Sequence, residues 1–187
     1  MILDNFLNDQ YEQIFCDQCM ETFLTNVYNY DNNHVLLEKR GLGLEYFCDA
    51  IQHYQLIHIP IITRIAVLDE DDIKINLPIG KELFQSTETK YRYIYIMEKL
   101  VHLDEDDSQF FNENTQDLEL FIKEDKYKAL ENISQQYDDN LAKDIEKLCY
   151  YYLENQEFIA WDLHANNLMK RTETGEIIIL DPYAVKV

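Results

Sequence analysis

Ala160-Trp161-Asp162-Leu163-His164-Ala165-Asn166-Asn167-Leu168-Met169 and, one predicted hairpin later, Ile177-Ile178-Ile179-Leu180-Asp181-Pro182 are the runs from which the architecture is read. The first opens as a loop carrying Asp162 and Asn167. Leu168-Met169-Lys170-Arg171 then reads as a strand, Thr172-Glu173-Thr174-Gly175-Glu176 as a glycine-containing hairpin turn, and Ile177 to Leu180 as a buried strand with Asp181 at its end. Two short strands thus bring two carboxylates and one amide together. Phosphoryl transfer needs such a set: a carboxylate to receive or orient the proton of the nucleophile, and an amide and a carboxylate to hold Mg²⁺ against nucleotide phosphates.

The spacing extends this reading. Asp162-Leu163 to Asn167 fits the D-L-x-x-x-N part of the protein-kinase catalytic loop, and Asp181 stands where the metal-binding Asp of D-F-G follows one hairpin later. The chain therefore resembles the protein-kinase-like superfamily, with D-L-H-x-x-N and I-x-D-P closer to its atypical and aminoglycoside-phosphotransferase-like branch. Ala160 and Trp161 replace the family's His and Arg, so control through an arginine contact to a phosphorylated activation loop is not expected. Asp181-Pro182-Tyr183 replaces D-F-G, and Pro182 should stiffen the turn after the metal ligand. The chain runs only to Val187, so a minimal form is expected, without an activation segment or substrate platform.

Composition suits such a domain. At 187 residues, with 47% hydrophobic and 13% aromatic content, the chain can build one domain or two small lobes. A net charge of −20, with no local basic patch, argues against nucleic acid and anionic membrane as partners and is compatible with a basic protein partner. Cys16, Cys19, Cys48 and Cys149 read as reduced thiols, because Cys16-x-x-Cys19 has no second ligand pair nearby. No signal peptide or long apolar run is found, so a cytoplasmic protein is expected.

Outward from the two runs, the fold class reads as α+β, two-lobed and protein-kinase-like with a reduced C-lobe. Residues 1–100 should form an N-terminal helical segment and N-lobe-like strands, and residues 101–187 a helical C-lobe with the catalytic loop and metal hairpin. A helix is predicted over 5–29, a strand over 35–39, a helix over 44–51, strands over 57–67, 73–77 and 91–100, and amphipathic helices over 115–130 and 137–156. Leu118, Phe121 and Ile122 line the first of those amphipathic helices; Leu141, Ile145, Leu148, Cys149 and Tyr152 line the second. The acidic runs 69–72 and 104–107 lack the spacing and glycine of a calcium loop and read as solvated turns.

The resemblance implies roles for single residues. Asp162 would be the catalytic carboxylate, Asn167 and Asp181 the Mg²⁺ ligands, and ATP the phosphoryl donor, bound in a cleft between the lobes. Lys39 and Glu45 would be the phosphate-gripping lysine and its helix carboxylate; a solvated surface lysine is the other reading. Met97 would line the nucleotide pocket, or serve as core methionine. Gly41-Leu42-Gly43 reads as a turn into a helix rather than a phosphate loop. His164 reads as a phosphate or metal contact, or as a loop-packing residue. The expected activity is transfer of the γ-phosphate to a protein hydroxyl, on the protein itself or on a specific partner. The alternatives are a non-catalytic pseudokinase or phage or toxin–antitoxin interaction protein, and a small-molecule kinase.

Overall fold

The computed structural model describes residues 2–8, 10–14, 25–76, 91–115 and 126–186. It is a mixed α+β protein that divides into two compact units, residues 1–41 with 60–99 and residues 42–59 with 100–187. The sequence-based division at residue 100 thus meets an exchange: the segment 42–59 belongs with the C-terminal half.

The first unit is built on a five-stranded antiparallel sheet. Its strands are β1 (Gln13–Ile14), β2 (Thr25–Asn29), β3 (His34–Arg40), β4 (Ile62–Leu68) and β5 (Arg92–Glu98), in the order β1-β2-β3-β5-β4. Runs such as Val35-Leu36-Leu37 and Tyr93-Ile94-Tyr95 favour strand because branched and aromatic side chains fit a pleated, half-buried surface. One sheet face carries Leu36, Ala66, Leu68 and Ile94 and is covered by Phe6 of the short helix α1 (Ile2–Leu7). The register puts Val35, Leu37 and Lys39 of β3 opposite Met97, Tyr95 and Tyr93 of β5, on the other face.

A polar chain crosses the first face. The buried Glu38 carboxylate accepts from Asn26 Nδ2 at 2.9 Å, Tyr28 Oη at 3.1 Å and Arg92 Nη1 at 2.9 Å, and Arg92 also pairs with Asp72. Burial alone would raise the Glu38 carboxyl; these donors outweigh it and lower its pKa.

The second unit holds helix α2 (Gly43–Tyr54), strand β6 (Val101–His102), and helices α3 (Glu105–Thr115), α4 (Lys126–Gln136) and α5 (Asp139–Glu154). Four short strands follow: β7 (Ile159–Trp161), β8 (Leu168–Lys170), β9 (Ile177–Ile179) and β10 (Tyr183–Val185). β8 and β9 form the expected hairpin, with β6 on the outer side of β8, and β7 pairs with β10. Gly175, at φ +71°, supplies the left-handed residue the hairpin turn requires.

Several sequence-based elements change. The helix expected over 5–29 is instead α1, β1 and β2, with residues 9 and 15–24, including Cys16 and Cys19, outside the described residues. Thr25, Val27 and Tyr28 are strand formers, and pairing with β3 overrides the helical spacing of the apolar residues. The strand expected from Ile57 begins only at Ile62, because 57–61 is a loop around His58 and Pro60. Of the expected strand at 73–77, one bridge to Leu68 through Lys74 is described. The stripe Leu118, Phe121 and Ile122 lies outside the described residues. The acidic run 104–107 is not a solvated turn but the start of α3. Asp104 Oδ1 accepts from Asp107 N at 3.0 Å, and the following acids suit the positive end of the helix. Asp104 and Asp107 also grip Lys170 of β8. The turn at 69–72 is as expected, with Asp69 Oδ1 accepting from Asp71 N and Ile73 N.

One buried clamp ties the second unit together. Asp144 of α5 is 1% exposed and accepts from the main-chain N–H of Ile57 at 2.7 Å and of His58 at 2.9 Å. The His58 ring lies 3.5 Å from Asp144 through Nδ1, and through Nε2 it lies 3.2 Å from Asp138 and 3.8 Å from Glu176. The His58 carbonyl accepts from Ile179 N at 2.9 Å, and Arg171 donates to the Ile59 carbonyl, also at 2.9 Å. The α2–β4 connection is thereby fastened to α5 on one side and to the β8–β9 hairpin on the other.

Burial opposes charge on both partners. The His58 ring and the two amides outweigh it for Asp144 and hold that carboxyl at about 2, while Asp144, Asp138 and Glu176 raise His58. The raised His58 contributes stability that is full below its unfolded pKa of about 6.5 and is lost as pH rises through the folded value. The lowered Asp144 contributes stability present above about 3.8 and lost as pH falls toward 2. The denaturation midpoint is therefore expected to be higher at pH 6 than at pH 9, with His58→Gln flattening that difference. Asp144→Ala strands the loop amides and His58 and should cost about 3–5 kcal/mol at pH 6. A pH response identical in wild type and His58→Gln would remove the clamp from this account.

Candidate functional site

The second unit assembles the loop residues by strand pairing at both ends. Trp161 of β7 stands opposite Tyr183 of β10, so Asp162 and Pro182 leave the pair side by side, and Asp162 N donates to Pro182 O at 2.9 Å. Leu168 of β8 stands opposite Ile179 of β9, and Leu180 N donates to Asn167 O at 3.0 Å. The segment 162–167 and the segment 180–182 are thus joined twice. Asp162, Asn167 and Asp181 are held on these two strips of main chain, as their spacing predicts.

Side chains complete the loop. Asn167 Nδ2 donates to the Asp162 carbonyl at 2.7 Å and lies 3.4 Å from Asp162 Oδ2. That bond engages the nitrogen end of the amide and leaves Oδ1 as the end that can serve a cation. Ala165–Asn167 form a 3₁₀ turn capped by His164, whose Nδ1 accepts from Asn166 N at 3.2 Å. His164 Nε2 lies 3.3 Å from Asn167 Nδ2 and 3.8 Å from Asp162 Oδ1. The histidine is a loop-capping residue that touches both flanking site residues. The Asp162 side chain is 47% exposed, open to an incoming group, while Asp181 is half-buried with Oδ1 shut off from solvent.

Three further elements fix this geometry. The buried Trp161, standing where the resemblance expects Arg, donates from Nε1 to the Thr115 carbonyl of α3 at 2.9 Å. Asn112, one turn earlier on α3, accepts from Ala165 N at 3.0 Å. Tyr183 is buried and donates from its hydroxyl to Leu148 O of α5 at 2.8 Å. The sequence reading missed all of these anchors. Trp161 was visible only as a departure from a motif, and Asn112 and Thr115 sit in a polar helix with no signal of their own.

Gly43 opens α2 against the same strip. A Cβ built there would run into the Tyr183 carbonyl oxygen and lie 3.4 Å from Asp181 Oδ1. The turn into the helix read from Gly41-Leu42-Gly43 is therefore also a close approach of backbone to the Asp181 turn. Leu42, at the helix start, makes no side-chain cap, and the Asp181 carboxylate lies beside this positive helix end.

The remaining sequence-predicted residues occupy their expected types of element. Lys39 is the penultimate residue of β3 in the first unit, half-buried, and shares its sheet face with the buried Met97 of β5, about 13 Å along the strand. Glu45 lies in the first turn of α2 in the second unit and is 1% exposed. Lys39 and Glu45 thus fall in different units.

Among the described residues, no cluster of three or more His, Cys, Asp and Glu side chains is arranged to hold a metal ion. Asn167 and Asp181 supply one amide and one carboxylate. That donor set is hard and oxygen-based but too small to cage an ion, which suits Mg²⁺ completed by phosphate oxygens and water. Among the same residues no helix is long and apolar enough to cross a membrane. No protein-family model matches the chain, and comparison with curated proteins finds no match.

Substituting Gly43 tests the close approach. Gly43→Ala should push the Asp181–Tyr183 turn away from α2 and cost about 1–3 kcal/mol, as overpacking does. The thermal midpoint should fall accordingly. An unchanged midpoint would show that the turn yields without penalty.

Proposed function

We propose that this chain is an ATP-dependent phosphotransferase of the protein-kinase-like superfamily. The observation that carries the reading is the double bridging of segments 162–167 and 180–182, which gathers a solvent-open carboxylate, an amide oriented by its own loop and a shielded carboxylate. That family carries its phosphate-gripping lysine on the third strand and the partner glutamate on the helix that follows; Lys39 and Glu45 hold those places in sequence, while falling in different units. Lys39 and Glu45 are the residues proposed for that pair, and Met97 for the nucleotide lining.

Asp162 takes or orients the proton of the acceptor hydroxyl while its oxygen attacks the γ-phosphorus; the bond to the bridging oxygen breaks and ADP leaves. Asn167 Oδ1 and Asp181 would hold Mg²⁺, which when bound neutralises phosphate charge. His164 caps the loop beside both. Pro182, with fixed φ and its carbonyl taken by Asp162 N, keeps the strip after Asp181 from swinging. The proposed acceptor is a protein hydroxyl on the chain itself or on a specific partner. A net charge of −20 would draw a basic partner over long range.

Two variants test the assignment with purified protein, labelled ATP and Mg²⁺. Asp162→Asn should bind nucleotide nearly as wild type and transfer phosphate slower by roughly 10²–10⁴-fold. Asp181→Ala should lose the thermal stabilisation that ATP with Mg²⁺ gives to wild type. Equal transfer by wild type and Asp162→Asn would remove the catalytic role and favour a non-catalytic binding protein.

A further inference from the structure

The loop 162–167 is not held by its own sequence alone. Trp161, just before the loop, and Ala165, within it, meet α3 one helical turn apart: Trp161 Nε1 donates to the Thr115 carbonyl at 2.9 Å, and Ala165 N donates to Asn112 Oδ1 at 3.0 Å. Asn112 and Thr115 are three residues apart, so both acceptors come from the last turn of α3. The two bonds differ in kind. Thr115 offers its main-chain carbonyl, which any residue would supply. Asn112 offers a side-chain oxygen, which accepts from the N–H of Ala165, the first residue of the 3₁₀ turn.

This N–H is one of those a short helical turn leaves without an internal partner. Ala165 is buried at 4% exposure, and its N–H is answered by the Asn112 side chain. The turn begins at Ala165 and ends at Asn167, whose amide fastens to Asp162. Rotation of the turn about its start would carry Asn167 and loosen Asp162.

We propose that Asn112 is a positioning residue for the phosphoryl-transfer loop, acting through the Ala165 amide to fix the 3₁₀ turn between Asp162 and Asn167. This rests on the phosphotransferase reading for its effect on turnover, but not for its effect on the turn. Asn112 touches neither the acceptor group nor phosphate in this assignment; it acts through main chain. Asn112 is itself solvent-exposed, so replacing it removes little packing.

The test compares full-length wild type, Asn112→Leu, Asn112→Asp and Asp162→Asn. Leucine fills similar volume and has no acceptor, whereas aspartate keeps the accepting oxygen. Amide hydrogen exchange at Ala165 is read by NMR, and kcat and KM for ATP with Mg²⁺ are measured alongside. Exchange at Ala165 should be slow in wild type and Asn112→Asp and faster by at least about tenfold in Asn112→Leu. kcat in Asn112→Leu should fall by about 10²-fold with KM little changed, as when an interaction made only in the transition state is weakened, and Asn112→Asp should restore most of it. Unchanged exchange at Ala165 in Asn112→Leu overturns the proposal. So does wild-type kcat in Asn112→Leu while Asp162→Asn is inactive. If wild type itself transfers no phosphate, the phosphotransferase reading fails, and Ala165 exchange alone decides the inference: loss of protection in Asn112→Leu with retention in Asn112→Asp supports it.

Discussion

Asp144 is a carboxylate placed almost wholly out of water, and the second unit is arranged so that its charge is answered. Two main-chain amides and an imidazole converge on it, all from the short connection that leaves α2. An isolated buried charge would be strongly destabilising, so the connection is fixed wherever Asp144 is fixed. The same connection receives the Ile179 amide on the His58 carbonyl, two residues before Asp181. From α5 to the proposed metal ligand the path is therefore a continuous series of hydrogen bonds and one strand. Gly43, at the other end of α2, closes the circuit by approaching the Asp181–Tyr183 turn directly.

This arrangement explains why three-residue strands suffice around the loop. β7, β8, β9 and β10 are too short to be stable as free hairpins. They are supported by groups that the helices present: the Thr115 carbonyl and the Asn112 side chain from α3, the Leu148 carbonyl from α5, and the acidic start of α3 gripping Lys170 of β8. The positions of Asp162, Asn167 and Asp181 follow from this shell. A site whose reacting groups sit on loops needs such outside anchoring, because small displacements there cost rate steeply.

The hairpin from Leu168 to Ile179 and the spacing of Asp162, Asn167 and Asp181 were legible in the sequence because they are local. Strand, turn glycine and strand succeed one another within a dozen residues. β7 and β10 were not legible, since Ile159–Trp161 and Tyr183–Val185 pair across more than twenty residues and show no periodicity at that length. The region 5–29 misled for a related reason: apolar residues there fit a helical spacing by count, while β2 is fixed by pairing with β3. The acidic run at 104–107 misled in the opposite sense. Its charge suggested solvent, yet acids are favoured in a first helical turn, and Lys170 gives two of them a partner. His58 could not be singled out, because nothing near it in sequence announces Asp144.

Asn167 and Asp181 are the residues proposed to hold a divalent ion on a bound nucleotide. Paramagnetic broadening by Mn²⁺ in place of Mg²⁺ reads this directly, using protein labelled with ¹³C in its Asp and Asn side chains. With ATP present, substoichiometric Mn²⁺ is predicted to broaden the Cγ resonances of Asp181 and Asn167 first, with little effect when ATP is omitted. Broadening confined to the acidic turn at 69–72 and the acidic start of α3 at 104–107, with Asp181 and Asn167 untouched, would show that the ion binds elsewhere.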